Sequence, residues 1–214
     1  MQPISEHYKY DSEHGLDEGV KQYLDHATLK NLDQKNPKVL VVFSGGNAMG
    51  KSTISKRIEE QFGGLILEND GIKRCILKRW PAMSRDELNK ITWQYSMHLY
   101  RHLDEFTGNG LIVRDGVIDW YYDRILPIFA EQKYRLFIIG FDVSRDKAVE
   151  LIKKRGDTPT VKEERFYQLL DDHAIHTKRF RSAYAPTVVL NDDMLFDHHL
   201  VTEKLRQTMK DQAW

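Results

Sequence analysis

Residues 38–58, KVLVVFSGGNAMGKSTISKRI, constrain the fold more than any other stretch of the chain. An apolar run, Val39–Phe43, leads into three glycines, then a lysine, two hydroxyl residues and an amphipathic start. Gly45 to Ser52, GGNAMGKS, satisfies G-x-x-x-x-G-K-[ST] at every fixed position, between an apolar strand and a helix. Glycines let the backbone take positive φ and approach a ligand closely. Successive N–H groups then point inward, and the positive end of the following helix adds to them. The pattern predicts a triphosphate cradle formed by Gly45, Gly46, Asn47, Ala48, Met49, Gly50, Lys51, Ser52 and Thr53. Lys51 is expected on the β and γ phosphate oxygens of ATP, and Ser52 is expected to give an oxygen to Mg²⁺.

Short apolar runs follow at intervals: GLILE (64–68), LIVRD (111–115), RLFIIGFDV (135–143) and TVVLN (187–191). Continuous apolar runs of this length fit strands buried on both faces of a parallel sheet. Helical patterns separate them. Ser84 and Glu87 form a capping box ahead of Leu88, Ile91, Tyr95, Leu99 and Phe106, with Gly108 as the stop. Thr160 and Glu163 repeat that signature, and DHHLVTEKLRQTM closes the chain. Strand and helix in alternation imply right-handed crossovers and a three-layer α/β/α sandwich. The chain's 214 residues suit one such domain, 37–214, with a lid near 153–181. Before it, Leu16, Val20, Tyr23, Leu24 and Ala27 predict one amphipathic helix in an N-terminal extension, 1–36, which covers an edge of the domain or binds a partner.

Lys plus Arg and Asp plus Glu are 32 each, so charge gives no reason to expect a dedicated nucleic-acid or anionic-membrane binder. Cys75, the only cysteine, excludes an internal disulfide and a cysteine-based zinc site. No run approaches the ~18 apolar residues of a spanning helix, and the first residues lack a signal pattern, so the expectation is a cytoplasmic protein.

Three further segments carry candidate chemistry. Asp115 ends a strand and can orient Mg²⁺; the bland alternative is a turn aspartate before Gly116. Asp70, just beyond another strand, can accept a hydroxyl proton or cap the next helix, with Lys73 and Arg74 one turn on to meet anionic oxygens. Lys153, Lys154 and Arg155 end a helix before Gly156 and Pro159, and Arg165 starts the next, as a phosphate-covering lid requires. Asn191–Asp193 are expected in a loop beside the base. Among the many aromatics, Trp120 or Tyr121 is expected to touch substrate, while Trp93 and Tyr100 have core spacing. His98 and His102 are at i, i+4, and His173 and His176 at i, i+3, but no third ligand is evident and they read as satisfied or surface residues.

With these elements the chain resembles P-loop kinases of the nucleoside-monophosphate-kinase-like superfamily, over roughly residues 38 to 210. It is most similar to the branch of zeta-toxin-type kinases, polynucleotide 5′-kinases, chloramphenicol phosphotransferase-like and gluconate-kinase-like enzymes. The resemblance implies a five-stranded parallel sheet in order 2-3-1-4-5, a helical lid, ATP with Mg²⁺, and transfer to a hydroxyl. Asp70-Gly71-Ile72-Lys73 is similar to the family's D-x-I-R element, with lysine in place of arginine. VRDGVIDWYYDR resembles its third-strand acid followed by an arginine, here Arg124, and IGFDVSRDKAVELIKKR resembles the segment leading to the lid arginine, here Arg155. The expected activity is an ATP-dependent phosphotransferase acting on a small-molecule hydroxyl, of a nucleoside, sugar, nucleotide-sugar or antibiotic. The alternatives are a nucleoside monophosphate kinase, a polynucleotide 5′-kinase, and a nucleotide-dependent regulatory ATPase or pseudo-kinase. No N-K-x-D segment supports a GTPase.

Overall fold

The computed structural model describes residues 36–46, 48–106, 110–156 and 163–211. The expected N-terminal helix, Asn47, Gly108, Pro159 and Thr160 lie outside the described residues. Strands β1 (Val39–Ser44), β2 (Leu65–Leu67), β3 (Leu111–Val117), β4 (Arg135–Asp142) and β5 (Val188–Asn191) form one sheet in order β2-β3-β1-β4-β5. Every neighbouring pair is parallel, as expected. The central strand β1 is buried along its whole length, whereas β5, at the edge, alternates buried with exposed. That contrast is the signature of a sheet covered on both faces.

Helices α1 (Lys51–Phe62), α2 (Asn69–Arg79), α3 (Arg85–Arg101), the short α4 (Leu103–Phe106), α5 (Tyr122–Glu131), α6 (Arg145–Arg155), α7 (Glu163–Ala183) and α8 (His198–Lys210) complete the described fold. On one face Val41, Phe43 and Val113 pack with Ile54 and Ile58 of α1 and Val201 and Leu205 of α8. On the other, Leu40, Val42 and Ile112 pack with Ile76 of α2, Leu99 of α3 and Phe129 of α5. Alternation along the strands sends successive side chains to these two cores.

The predicted capping box is present: Glu87 N–H donates to Ser84 Oγ at 3.3 Å, and Ser84 N–H donates back to Glu87 Oε2 at 3.1 Å. The helix it starts is shorter than the sequence pattern suggests. His102 caps it, and Leu103–Phe106 form a separate turn rather than a continuation. No helix of the described residues is long and apolar enough to cross a membrane.

One irregularity shapes the site. Val41 pairs with Val113, but Phe43 pairs with Val117, so β3 bulges over Arg114–Gly116 at its carboxyl end. Bulges re-aim side chains beside active sites. Here Arg114 folds over the bulge and donates from Nη1 to the carbonyls of Gly116 (3.0 Å) and Val117 (3.2 Å). Gly116 leaves room for that guanidinium, since a Cβ there would meet Nη1 at 3.2 Å.

Candidate functional site

Among the described residues of the loop between β1 and α1, three take positive φ and curl the chain: Gly45 (125°), Ala48 (64°) and Gly50 (78°). Gly45 has no alternative, because a Cβ would lie 3.0 Å from the Phe141 carbonyl oxygen. Ala48 is a non-glycine residue in the left-handed region, a conformation that costs about 1 kcal/mol and collects at ligand sites. Gly50 starts α1 with no side-chain cap. The first amides of that helix therefore lack an internal partner and present an anion-binding end.

Lys51 turns back over the loop and donates from Nζ to the Gly46 carbonyl at 2.8 Å. Burial pulls its ammonium down to about 8, with Asp115 and Asp119 opposing that fall and Arg155 adding to it. Asp115 hydrogen-bonds the Ser52 hydroxyl. Its carboxyl is pushed up by burial, held back by Ser52 and Lys51, and pushed up further by the nearby charges of Glu68 and Asp70. Two hard oxygen donors thus sit together beside the lysine, on the face of β3 that looks toward α1. Asp115 is no ordinary turn aspartate.

Asp70 lies in the first turn of α2, but the residue in the N-cap position is Glu68. The carboxylate of Asp70 is 54% exposed and is not spent on capping, and Lys73 Nζ stands 3.9 Å away. Asp70 follows β2 and Asp115 ends its parallel neighbour β3, so both acids lie at the carboxyl end of the sheet, where ligands bind in open α/β folds. Arg74 instead pairs with Glu68 at 3.0 Å. Arg124 opens onto a groove between α3 and α5 with Trp93, Gln94, Met97, His98 and Arg101, away from the lysine.

A second cleft, of about 440 Å³, runs along the outer side of the loop from Ala48 to Thr53 and is walled by Leu151, Lys154, Arg155 and Phe196. It brings the predicted lid cations Lys154 and Arg155 to the glycine loop. Arg165 is not among its walls; its Nη1 bonds Gln168 of the same helix at 2.9 Å. Phe196 stands on the loop between β5 and α8, 57% exposed, over Gly50. The sequence expectation had placed Asn191–Asp193 beside the base. Asp192 is used elsewhere, accepting the Ser144 amide at 2.8 Å.

Several participants escaped the sequence reading. Asp119 is buried and accepts the Gly45 amide at 2.9 Å. Arg181 of α7 ties the ends of β1 and β4 together, donating to Ser44 Oγ (3.1 Å), the Phe141 carbonyl (3.0 Å) and Asp142 (3.0 Å). Trp120 donates its indole N–H to His173 Nδ1 at 3.1 Å and stacks on His176 at 3.8 Å. It is therefore fastened to α7. Tyr121 is exposed, with its ring 5.0 Å from that of Trp93. Only the I-D-W step after the Asp115 strand, a lone acid between apolar residues, hinted at Asp119. Among the described residues no three His, Cys, Asp or Glu side chains gather as a metal cluster.

No family profile and no curated protein matches the chain by sequence. Solved structures do match. A protein of the PezAT chromosomal toxin–antitoxin system of Streptococcus pneumoniae superposes with a TM-score of 0.58 at 13% identity, over 96% of each chain. The Deinococcus radiodurans tunicamycin resistance protein gives 0.55 at 12% identity, over 80% of this chain and 95% of that one. A gluconokinase from Sinorhizobium meliloti gives 0.51 at 16% identity, over 85% of this chain and all of its own 100%. The fold is that of the P-loop kinases. In a P-loop kinase fold the cradle, Asp115 and the Asp70 turn line the carboxyl edge of three neighbouring strands, β1, β3 and β2.

Proposed function

We propose that the chain is an ATP-dependent phosphotransferase that moves the γ-phosphate to a hydroxyl of a small molecule. One arrangement carries the reading: Asp115, hydrogen-bonded to Ser52 beside Lys51, ends β3, and Asp70 follows its parallel neighbour β2. A group that can hold the nucleotide and a group that can engage an acceptor therefore lie at the same edge of the sheet.

The amides at the start of α1 and the Lys51 ammonium bind the β and γ phosphates. Phe196 and Arg155 flank the base, the ring by stacking and the guanidinium by its flat face. Ser52 and Asp115 fit Mg²⁺, which takes few protein oxygens and shares the rest with phosphates and water. When bound, that ion would neutralise charge on the phosphate oxygens. The acceptor hydroxyl oxygen attacks the γ-phosphorus, its proton passes to Asp70, and the bond to the β–γ bridging oxygen breaks, releasing ADP. Lys154 and Arg155 bring positive charge to the nucleotide as the lid closes.

The test is a screen of small-molecule alcohols for ADP release, with Lys51→Ala as the blank. The expected result is strong stimulation by one chemical class of alcohol, absent in the variant. ATP hydrolysis independent of every alcohol would favour a regulatory ATPase, and binding without turnover would favour a pseudo-kinase.

A further inference from the structure

Asp119 lies four residues beyond Asp115 and is 1% exposed. Its Oδ2 accepts hydrogen bonds from two distant parts of the chain, the Gly45 amide at 2.9 Å and the Thr177 hydroxyl at 2.5 Å. Its Oδ1 is buried with no partner. A carboxylate removed from water is costly unless its position is worth that cost. The Gly45 contact fixes the orientation of the Ser44–Gly45 peptide, and with it the direction in which the glycine loop leaves β1. The Gly45 amide is thereby turned toward Asp119, so Gly45 serves the cradle through its backbone conformation.

The Thr177 contact belongs to a larger seam. His173, His176 and Thr177 stand at i, i+3 and i+4 on one face of α7, and that face meets Asp119 and Trp120. The helix they occupy, Glu163–Ala183, lies mostly within the predicted lid, 153–181. Asp119 is thus a single acceptor shared by the phosphate loop and the lid helix.

We propose that Asp119 is a positioning residue that couples the two, so that the loop holds its triphosphate-binding shape only while α7 is docked through Thr177. The proposal rests on the phosphotransfer reading, since it assigns Asp119 to the preparation of that nucleotide site. An asparagine would preserve the clamp: its Oδ1 can accept both bonds, with the amide nitrogen in the place of the partnerless oxygen.

The experiment measures binding of a non-hydrolysable ATP analogue with magnesium to the full chain, alongside thermal melting. Asp119→Ala is expected to weaken affinity about 30-fold, and Thr177→Val about tenfold. The double variant should be no weaker than Asp119→Ala, because contacts that act through one group are non-additive. Asp119→Asn and Thr177→Ser should stay within about threefold of the wild type. Penalties that multiply in the double variant, or Asp119→Ala binding as wild type, would overturn the coupling. If Asp119→Ala does not fold, Thr177→Val decides alone: unchanged affinity overturns the proposal. A wild-type chain that binds no analogue sinks the phosphotransfer reading as well, whereas wild-type binding with indifferent variants sinks only this inference.

Discussion

The two halves of the crevice are built by different means. On the proposed nucleotide side a single stretch, the glycine loop and the start of α1, contributes mainly through backbone shape, while Asp115, Asp119, Arg155 and Phe196 come from elsewhere. On the acceptor side the candidate groups come from α2, α3 and the segment after β3. They are held mostly by side chains: Lys73 with Asp70, Arg74 with Glu68, Tyr121 with Trp93. The difference teaches where specificity can change cheaply. A backbone cradle tolerates little, because residues such as Gly45, Ala48 and Gly50 set the φ of the loop, whereas side-chain pairs can be exchanged without refolding anything.

The sharpest break between the halves is chemical. Lys51→Ala should lower turnover by about 10³ or more whatever the acceptor, because it removes a charge aimed at the transferring group. Asp70→Asn should cost about 10²–10⁴ with a hydroxyl acceptor, the range for a lost general base, while leaving ATP affinity within about twofold. Equal losses with a phosphate acceptor such as a nucleoside monophosphate are not expected, since that chemistry needs no base. Steady-state kinetics on the two acceptor types separates these outcomes, and a kcat unaffected by Asp70→Asn would remove the hydroxyl mechanism.

Two glycines test whether backbone shape is the nucleotide half's working part. Gly45→Ala meets both a φ of 125° and a carbonyl 3.0 Å from the new Cβ. It should cost about 1–3 kcal/mol of stability and most nucleotide affinity. Gly156→Ala, at φ 62° with nothing within 4 Å, should cost only about 1 kcal/mol. Chemical denaturation with and without ATP would show the contrast, and similar behaviour of the two variants would undo it.

That asymmetry also explains what could be read from the letters. The strands, the cradle and the Lys51–Ser52–Asp115 convergence are legible because each depends on local pattern, namely buried apolar runs, glycines at fixed offsets and an acid at a strand end, whereas the strand order came from the family resemblance. Asp119, Arg181 and the Trp120–His173 seam were not, because each joins segments 58, 137 and 53 residues apart, and no spacing rule links them. Phe196 was hidden for another reason. In NDDMLFD the acids drew the expectation, and a single exposed ring carries no periodicity. Arg124 was placed by resemblance, and it opens on a groove between helices.

Phe196 provides a smaller test of the nucleotide half. Losing a stacking platform costs about 1–3 kcal/mol per base. Phe196→Ala should therefore weaken ATP about tenfold and narrow the preference among nucleoside triphosphates, leaving acceptor KM unchanged. A competition assay across bases would detect it, and unchanged affinity would put the base outside that cleft.

A further effect, on stability rather than on binding or turnover, concerns the contact between Trp120 and α7. His173 accepts the Trp120 indole N–H, so the ring must be neutral at Nδ1. Burial pulls its pKa down to about 4, helped by the charges of Lys51 and His176 and opposed by Asp172. Because the folded value lies below the unfolded one, the unfolded chain binds more protons across the window between them. Stability is therefore intact above about pH 6.5 and declines as pH falls toward 4, by no more than about 3 kcal/mol. His173→Gln can still accept the indole proton but does not titrate, so its stability should fall less steeply over the same window. Melting curves between pH 4 and 6.5, followed by tryptophan fluorescence, would compare the two. Identical slopes would mean that the imidazole carries no part of the acid sensitivity, and that the contact between Trp120 and α7 survives its protonation.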